Sequence, residues 1–478
     1  MDKKREPKPD QGFWNDDQGE EEIDSRESVA ETIRRATAAL TEVHAPTPED
    51  GQPRQPSNFV ELGLSKAFLI DLTLKMVHYA SNPTTAQLVR RLRVSPRIVE
   101  QLIAALTEER LCEVISQSDL YTGNYRYRLT SRGQERVAEA LERSHYAGPV
   151  PVTAEQYFEV VLSQQQKPQA PVSRGRAKEV KADLVLAPQV ADAVARALFS
   201  GKSAMFFGPS GNGKTRVLTR FAASIEGEVL VPYAIYAHGQ LIRVFDPSVH
   251  HVVETPDERN SLKDDGKIDR RWIRVKRPGV VLSIEMGPES LDLAYDPMSR
   301  FYTAPPHIKA QGGVVIVDDF GRQRVRPQDL LARWLIAMER GWESLTLVTG
   351  EQVRLPFNIQ LLLATNQPLQ DLADEPLLRR ILYKVEMPNP TPTDFAEILR
   401  RLCHHMKVLV PEGAIDYVIK RLFEAQSDLE PRAAFARDLV DLVVESARYD
   451  NQEPVLTPEA FDRAFRLFMA QYKAERGG

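Results

Sequence analysis

The chain has 478 residues, 42% of them apolar and 27% charged, with a formal net charge of −5. That length exceeds what one core organises, so two to four domains are expected, and the composition is that of a soluble globular protein, not a broadly polyanion-binding one. No run approaches the ~18 apolar residues of a membrane span, the opening MDKKREPKPDQ lacks a signal-peptide core, and the two cysteines, Cys112 and Cys403, read as free thiols of a cytoplasmic protein.

Residues 1–58 are expected to be a disordered acidic tail. The first 60 residues carry 14 acidic and 8 basic side chains, a net of −6, and too few apolar ones to offset chain entropy. Within the tail, the amphipathic run from Ile23 to Leu40 reads as a transient helix or a docking peptide. Residues 59–145 form a second unit. LSKAFLIDLTLKMVHYA has apolar residues at helical spacing, TTAQLVRRLRV is a short helix with a Thr cap, and SPRIVEQLIAALTEERL opens with Ser followed by Pro. CEVISQ and YRYRLT are strand-like runs, and SRGQERVAEAL starts a last helix. Three helices, a hairpin and a helix resemble bacterial winged helix-turn-helix domains. Residues 146–180, rich in Pro, Gln and Ser, read as a linker.

From 181 to 388 strands alternate with helices. AMFFG, VLVPYAIY, GVVIVDD and LLLATN are short apolar runs ending in polar residues, as buried parallel strands of an α/β sheet do. From 389 to 478 only helical spacing is visible, so a helical domain ends the chain. The stretch Gly208-Pro209-Ser210-Gly211-Asn212-Gly213-Lys214-Thr215 follows AMFF and precedes a helical run, the context a phosphate-binding loop requires. Its glycines let backbone N–H groups converge on phosphate oxygens at a helix N-terminus. Lys214 would neutralise the β- and γ-phosphates of ATP, and Thr215 would hold Mg²⁺. Such a loop predicts an acidic site on a neighbouring strand. GGVVIVDDFGR supplies Asp318, placed to hold Mg²⁺, and Asp319, placed to activate water. Asp319 stands one methylene short of the Glu usual there. Hydrolysis that is slow is therefore expected, beside a non-hydrolysing ATP switch as an alternative and a turn-capping role for Asp319.

IQLLLATNQP ends a further buried strand at Thr365 and Asn366. ADEPLLRRILYKV places Arg379 beside Arg380, and LEPRAAFARDLVDLVV carries Arg432 and Arg437. In this order and at these distances the segments resemble AAA+ ATPases over residues 181–478. The resemblance implies a P-loop α/β core with a C-terminal helical lid, ATP and Mg²⁺ as cofactors, and assembly into rings, often hexamers. It implies that Asn366 orients the attacking water as sensor 1, that Arg379 or Arg380 is an arginine finger reaching a neighbouring subunit, and that Arg437, with Arg432 as the fallback, is the lid's sensor 2. With a winged helix first, the arrangement looks like MoxR-like bacterial AAA+ proteins, some of them chaperone-like.

The resemblance leaves the substrate open. RRWIRVKRPGVVLSIEM looks like a basic hairpin. Tyr295, Phe301 and Tyr302 in the same long segment read first as local packing and second as a grip on a polypeptide. His250-His251 and Cys403-His404-His405 lack metal-ligand spacing and read as structural or surface groups. Duplex DNA is a possible partner through Arg90, Arg91, Arg93, Arg97, Arg126, Arg128 and Arg132. Against it, residues 61–145 carry 12 basic and 10 acidic side chains and Glu100 faces outward on the recognition helix. The expected activity is ATP hydrolysis within a ring that remodels a protein or protein–DNA partner. A DNA-associated, ATP-dependent regulator is the alternative.

Overall fold

The computed structural model of the chain describes residues 52–117, 125–166, 185–253, 268–424 and 429–476. The segment 23–40, nearly all of the expected tail and the connection 167–184 lie outside the described residues.

The N-terminal unit begins with helices Phe59–Leu62, Lys66–Ala80, Thr85–Leu92 and Pro96–Glu108. Their starts are set by local chemistry. Ser65 accepts from Phe68 N, and Thr84 and Gln87 cap each other reciprocally. Strands β1 (Cys112–Gln117) and β2 (Tyr125–Leu129) pair antiparallel, and a helix Ser131–Arg143 follows, capped by Thr130. At Gly133 a Cβ would stand 2.0 Å from Leu111 O, so only glycine lets this helix close on the hairpin. Leucines and valines of the three longer N-terminal helices fill the core between them.

The sequence marks residues 146–180 as a spacer, but part of that stretch is built into the fold. Strand β3 (Val152–Thr153) and helix Ala154–Gln166 follow, with Val152, Tyr157, Val160 and Val161 all buried. The Gln and Pro residues around them dominate the composition and hide a short apolar stripe at helical spacing.

The α/β body contains β4 (Ala204–Phe207), β5 (Glu228–Pro232), β6 (Ala234–Ala237), β7 (Gln240–Arg243), β8 (Trp272–Lys276), β9 (Gly279–Leu282), β10 (Ala294–Asp296) and β11 (Phe301–Thr303). It continues with β12 (Val314–Val317), β13 (Trp342–Thr346), β14 (Gln352–Pro356), β15 (Gln360–Thr365) and β16 (Tyr383–Glu386). The central sheet has the order β16-β4-β15-β12-β9 and is parallel throughout. β12 and β15 are buried along their whole length, as strands covered on both faces must be.

Two strand expectations differ from the structure. VLVPYAIY is not a strand of the parallel sheet: β5 pairs antiparallel with β8, and β6 pairs antiparallel with β7. RRWIRVKRPGVVLSIEM is not a hairpin either, because β8 joins β5 whereas β9 joins β12. Pro278, with no backbone N–H to donate, stands between them and breaks the run at the crossing from one sheet to the other.

A second sheet, β10-β11-β7-β6-β3, joins the two halves of the molecule. β3 pairs with β6, the Phe68 and Tyr236 rings lie 4.4 Å apart, and Ala234 and Leu241 complete the core of the N-terminal unit. Tyr302 is 1% exposed and its hydroxyl accepts from Val348 N at 2.8 Å. Tyr295 packs on Tyr302, and Phe301 packs edge-on to Tyr146. These aromatics make the local packing contacts of the first reading.

The chain ends in a helical unit: Pro392–His405, Ala414–Ile419 running into a π-helical turn Lys420–Glu424, Ala433–Tyr449 and Pro458–Arg476. Phe395, Leu399, Val440, Phe461 and Phe465 lie in its core.

Candidate functional site

The loop from Gly208 to Gly213 leaves the end of β4 and enters the helix Lys214–Ser224. Gly208 has φ +133 and a Cβ there would meet Met387 O at 2.4 Å, so the loop passes too close to the end of β16 for any side chain. Gly213, with φ +79, caps the helix, and the space a Cβ would fill beside it is open. Backbone N–H groups at the start of a helix, reached through glycines, make an anion cradle. Lys214 is 7% exposed, and its Nζ donates to the Gly208 and Pro209 carbonyls at 2.9 Å. Burial holds its ammonium below the usual lysine value, Asp319 and Asp318 oppose that shift, and Arg432 adds to it.

β15 lies between β4 and β12, so the acidic strand is not next to the loop's own strand. The two elements meet nonetheless: the Thr215 hydroxyl donates to Asp318 Oδ1, which also accepts from Asp319 N at 3.0 Å. A hydroxyl and one carboxylate are the protein's usual share of an Mg²⁺ shell, with phosphate and water oxygens completing it, so these residues fit that ion. Asp319 has φ 47, an uncommon backbone for a residue other than glycine. Gln323, which no motif in the sequence marks, holds that turn. Its Nε2 donates to the Asp318 carbonyl at 2.7 Å and the Asp319 carbonyl at 3.3 Å, and its Oε1 accepts from Gly321 N at 3.0 Å. Phe320 N donates to Ala364 O at 2.6 Å and Thr365 Oγ1 to Phe320 O at 2.8 Å. The acidic turn is thus fastened to the end of β15, where Asn366 follows half-buried.

The arginines separate. Arg379 is 77% exposed and pairs with Glu375, and Arg380 pairs with Glu339 at 3.3 Å. Arg437, the residue the motif favours, is 72% exposed and pairs with Asp441 on its own helix at 3.6 Å. Arg432 is the one at the loop. Its Cβ and Cδ lie 3.8 and 3.9 Å from where a Gly211 Cβ would be, its charge acts on Lys214, and its Nε is buried without a hydrogen-bond partner. The physical reason is the helix start: Arg432 is the N-cap of Ala433–Tyr449, and Arg437 lies five residues on, about 140° round the axis.

Asn212 is a second residue whose role the sequence did not disclose. It is 6% exposed. Its Nδ2 donates to Asn389 Oδ1 at 2.9 Å and its Oδ1 accepts from Ala433 N at 3.2 Å. Ala434 N donates to Gly211 O at 2.9 Å. His250 is a structural group: its ring accepts from Asp246 N and bonds the Lys309 carbonyl. Cys403 is buried in the helical core.

A family described as a domain of unknown function (DUF8689) matches residues 391–467, within the helical unit. No curated protein matches the chain. Among solved structures the chain is similar to NtrX from Brucella abortus in complex with ATP, at 14% identity and TM-score 0.37, over 80% of this chain and 70% of that one. It is similar to RuvB from Thermotoga maritima, at 14% identity and TM-score 0.35, over 60% of this chain and 72% of that one. The FIGL-1 AAA domain gives 13% identity and TM-score 0.33, over 60% of this chain and 82% of that one. The α/β fold with its parallel-sheet core is read from the strand order.

Proposed function

We propose that the chain is an AAA+-type ATPase that binds ATP with Mg²⁺, hydrolyses it within a ring, and uses the cycle to remodel a protein partner. The observation that carries this reading is the bond from Thr215 to Asp318, made across an intervening strand beside a buried Lys214. A glycine-rich turn without a ligand has no need to bring a hydroxyl, a carboxylate and an ammonium to one helix N-terminus.

The roles follow from position. The loop N–H groups and Lys214 hold the phosphates. Thr215 and Asp318 would hold Mg²⁺, which supplies charge neutralisation between the β- and γ-phosphates. Asp319 takes the proton of the attacking water and Asn366 orients that water. Arg432, at the loop, replaces Arg437 as the helical unit's contact with the γ-phosphate. Arg379 and Arg380, exposed and held by surface pairs, are free to exchange those carboxylates for a neighbour's phosphate. The N-terminal unit, with its three helices, hairpin and helix, reads as a winged helix that docks protein. The outward residues of Pro96–Glu108 include Arg97 but also Glu100 and Glu108. Arg128 is bound to Glu113 at 2.6 Å, and Arg93 stacks over Tyr233. Two of the seven candidate arginines are thus engaged within the fold, whereas Arg90, Arg91, Arg97, Arg126 and Arg132 are exposed, so protein docking is the first reading and duplex binding the second.

The test is ATP turnover measured against protein concentration, with and without duplex DNA. A rate per subunit that rises steeply with concentration and ignores DNA is expected. Strong stimulation by DNA would move the reading to a DNA-associated regulator, and ATP held without phosphate release would make the chain a switch. Lys214→Ala should abolish tight ATP binding. Arg379→Ala with Arg380→Ala should keep binding and lose turnover.

A further inference from the structure

We infer that Asn212 is a positioning residue that sets, from inside the phosphate loop, where the helical unit sits and therefore where Arg432 reaches. The inference rests on the reading of the loop as an ATP site. Position 212 is one of the four variable places in the loop pattern, and phosphate chemistry there asks only for its backbone N–H. The side chain is nevertheless buried, while Ser210 and Gly211 before it are exposed.

Both ends of the amide are engaged, and their orientation follows from the partners. Ala433 N can only donate, so the amide oxygen must face it. Nδ2 then faces Asn389, which must present its own oxygen. Asn389 lies between β16 and the helix Pro392–His405, at the entry to the helical unit. Ala433 is the first residue of the helix that Arg432 caps. A third bond, from Ala434 N to Gly211 O, fixes the neighbouring loop residue to the same helix. Adjacent residues of one loop thus hold two segments of the helical unit's boundary, its entry at Asn389 and the start of Ala433–Tyr449.

A buried amide bonded at both ends is costly to displace alone, because each lost bond leaves a buried group unpaired. The loop backbone and the start of Ala433–Tyr449 therefore move together. Arg432 is covalently next to Ala433, and its Nε has no hydrogen-bond partner to hold it elsewhere. A loop that closes on phosphate carries Arg432 with it.

The experiment uses the full chain and two readouts: affinity and turnover with a fluorescent ATP analogue and ATP, and amide hydrogen exchange over 429–449 with and without nucleotide. Asn212→Ala is expected to keep affinity within about threefold and to lower kcat about tenfold or more. It should also abolish the nucleotide-dependent change in exchange around Ala433 and Ala434. Arg432→Ala should lower kcat, and the double variant should be no worse than the worse single one, as for residues acting as a unit. Asn389→Asp keeps an acceptor facing Nδ2 and should stay near the unsubstituted protein, whereas Asn389→Ala should behave as Asn212→Ala. Multiplying losses in the double variant, an exchange response that survives Asn212→Ala, or equal damage from both Asn389 variants would each overturn the inference. An unsubstituted chain that binds no nucleotide would instead remove the ATP-site reading beneath it.

Discussion

Replacing Arg432 and Arg437 separately by alanine distinguishes the geometry from the motif. Arg437 is 72% exposed, in an i,i+4 pair with Asp441 at 3.6 Å. Such a pair contributes about 0.3–0.5 kcal/mol, so Arg437→Ala should change stability and turnover by less than about threefold. Arg432 stands at the N-cap position of its helix, beside the loop and without a side-chain cap bond, with its charge opposing that of Lys214. Removing a preorganised donor aimed at developing charge costs about 2.7–4 kcal/mol, or roughly 10²–10³ in kcat. Folding should be spared, because Nε has no hydrogen-bond partner that the substitution would leave unpaired. The assay is phosphate release at saturating ATP for both variants, with ADP affinity as the control, since ADP lacks the γ-phosphate that Arg432 would meet. A hundredfold loss in Arg437→Ala with Arg432→Ala near the unsubstituted rate would refute the assignment.

Three further outcomes follow from particular contacts. Gln323→Ala should lower kcat about tenfold while ATP affinity changes less than about twofold, because the bonds to the Asp318 and Asp319 carbonyls that fix the acidic turn are lost. Gln323→Glu should be as damaging in the same assay, since a carboxylate cannot donate to a carbonyl. Asp269 and Arg271 are each 2% exposed and joined at 2.8 Å. Asp269→Asn should cost about 3–5 kcal/mol in thermal or denaturant unfolding, and replacing both partners with apolar residues of similar volume should recover most of it. Burial pulls Lys75 from the usual 10.5 to about 8. Between these values the unfolded chain holds a proton that the folded one has released, so stability should rise with pH by up to about 1.4 kcal/mol per unit. Lys75→Met should remove that slope in unfolding titrations from pH 7 to 10.5.

The loop from Gly208 to Thr215 and the acidic pair were legible in the sequence because their chemistry is local. Glycines, a lysine and a hydroxyl must follow one another at fixed spacing to meet a phosphate, and an apolar strand must end at the carboxylates. What lies between them was not legible. Chain order does not state sheet order, so nothing in GVVIVDD or LLLATN says that β15 separates β12 from β4. Nor does it say which arginine of LEPRAAFARDLV faces the loop, since that depends on where the helix starts, and it starts one residue after Arg432. Gln323 and Asn212 escaped for a related reason. Each acts through hydrogen bonds whose partners are set by the tertiary fold, Asn212 across a separation of 177 residues to Asn389.

The N-terminal unit bears on what the ATP cycle could move. A linker at 146–180 would leave it tethered, free to search for a partner while the body turned beneath it. Instead β3 enters the second sheet and Tyr157 stacks on Trp272 of β8. Arg271 donates to the Pro151 carbonyl at 3.2 Å while its guanidinium is bound to Asp269. Only Arg277 and Pro278 separate β8 from β9 of the central sheet, and Arg277 is itself bonded to the Gly227 and Gly312 carbonyls. So short a joint, hydrogen-bonded on both sides, has little freedom to absorb a shift of β9 or β12. A movement of the acidic strand would pass through packed and bonded contacts into the N-terminal unit, so under the proposed function that unit would act as a lever on a partner and not as a leash to it.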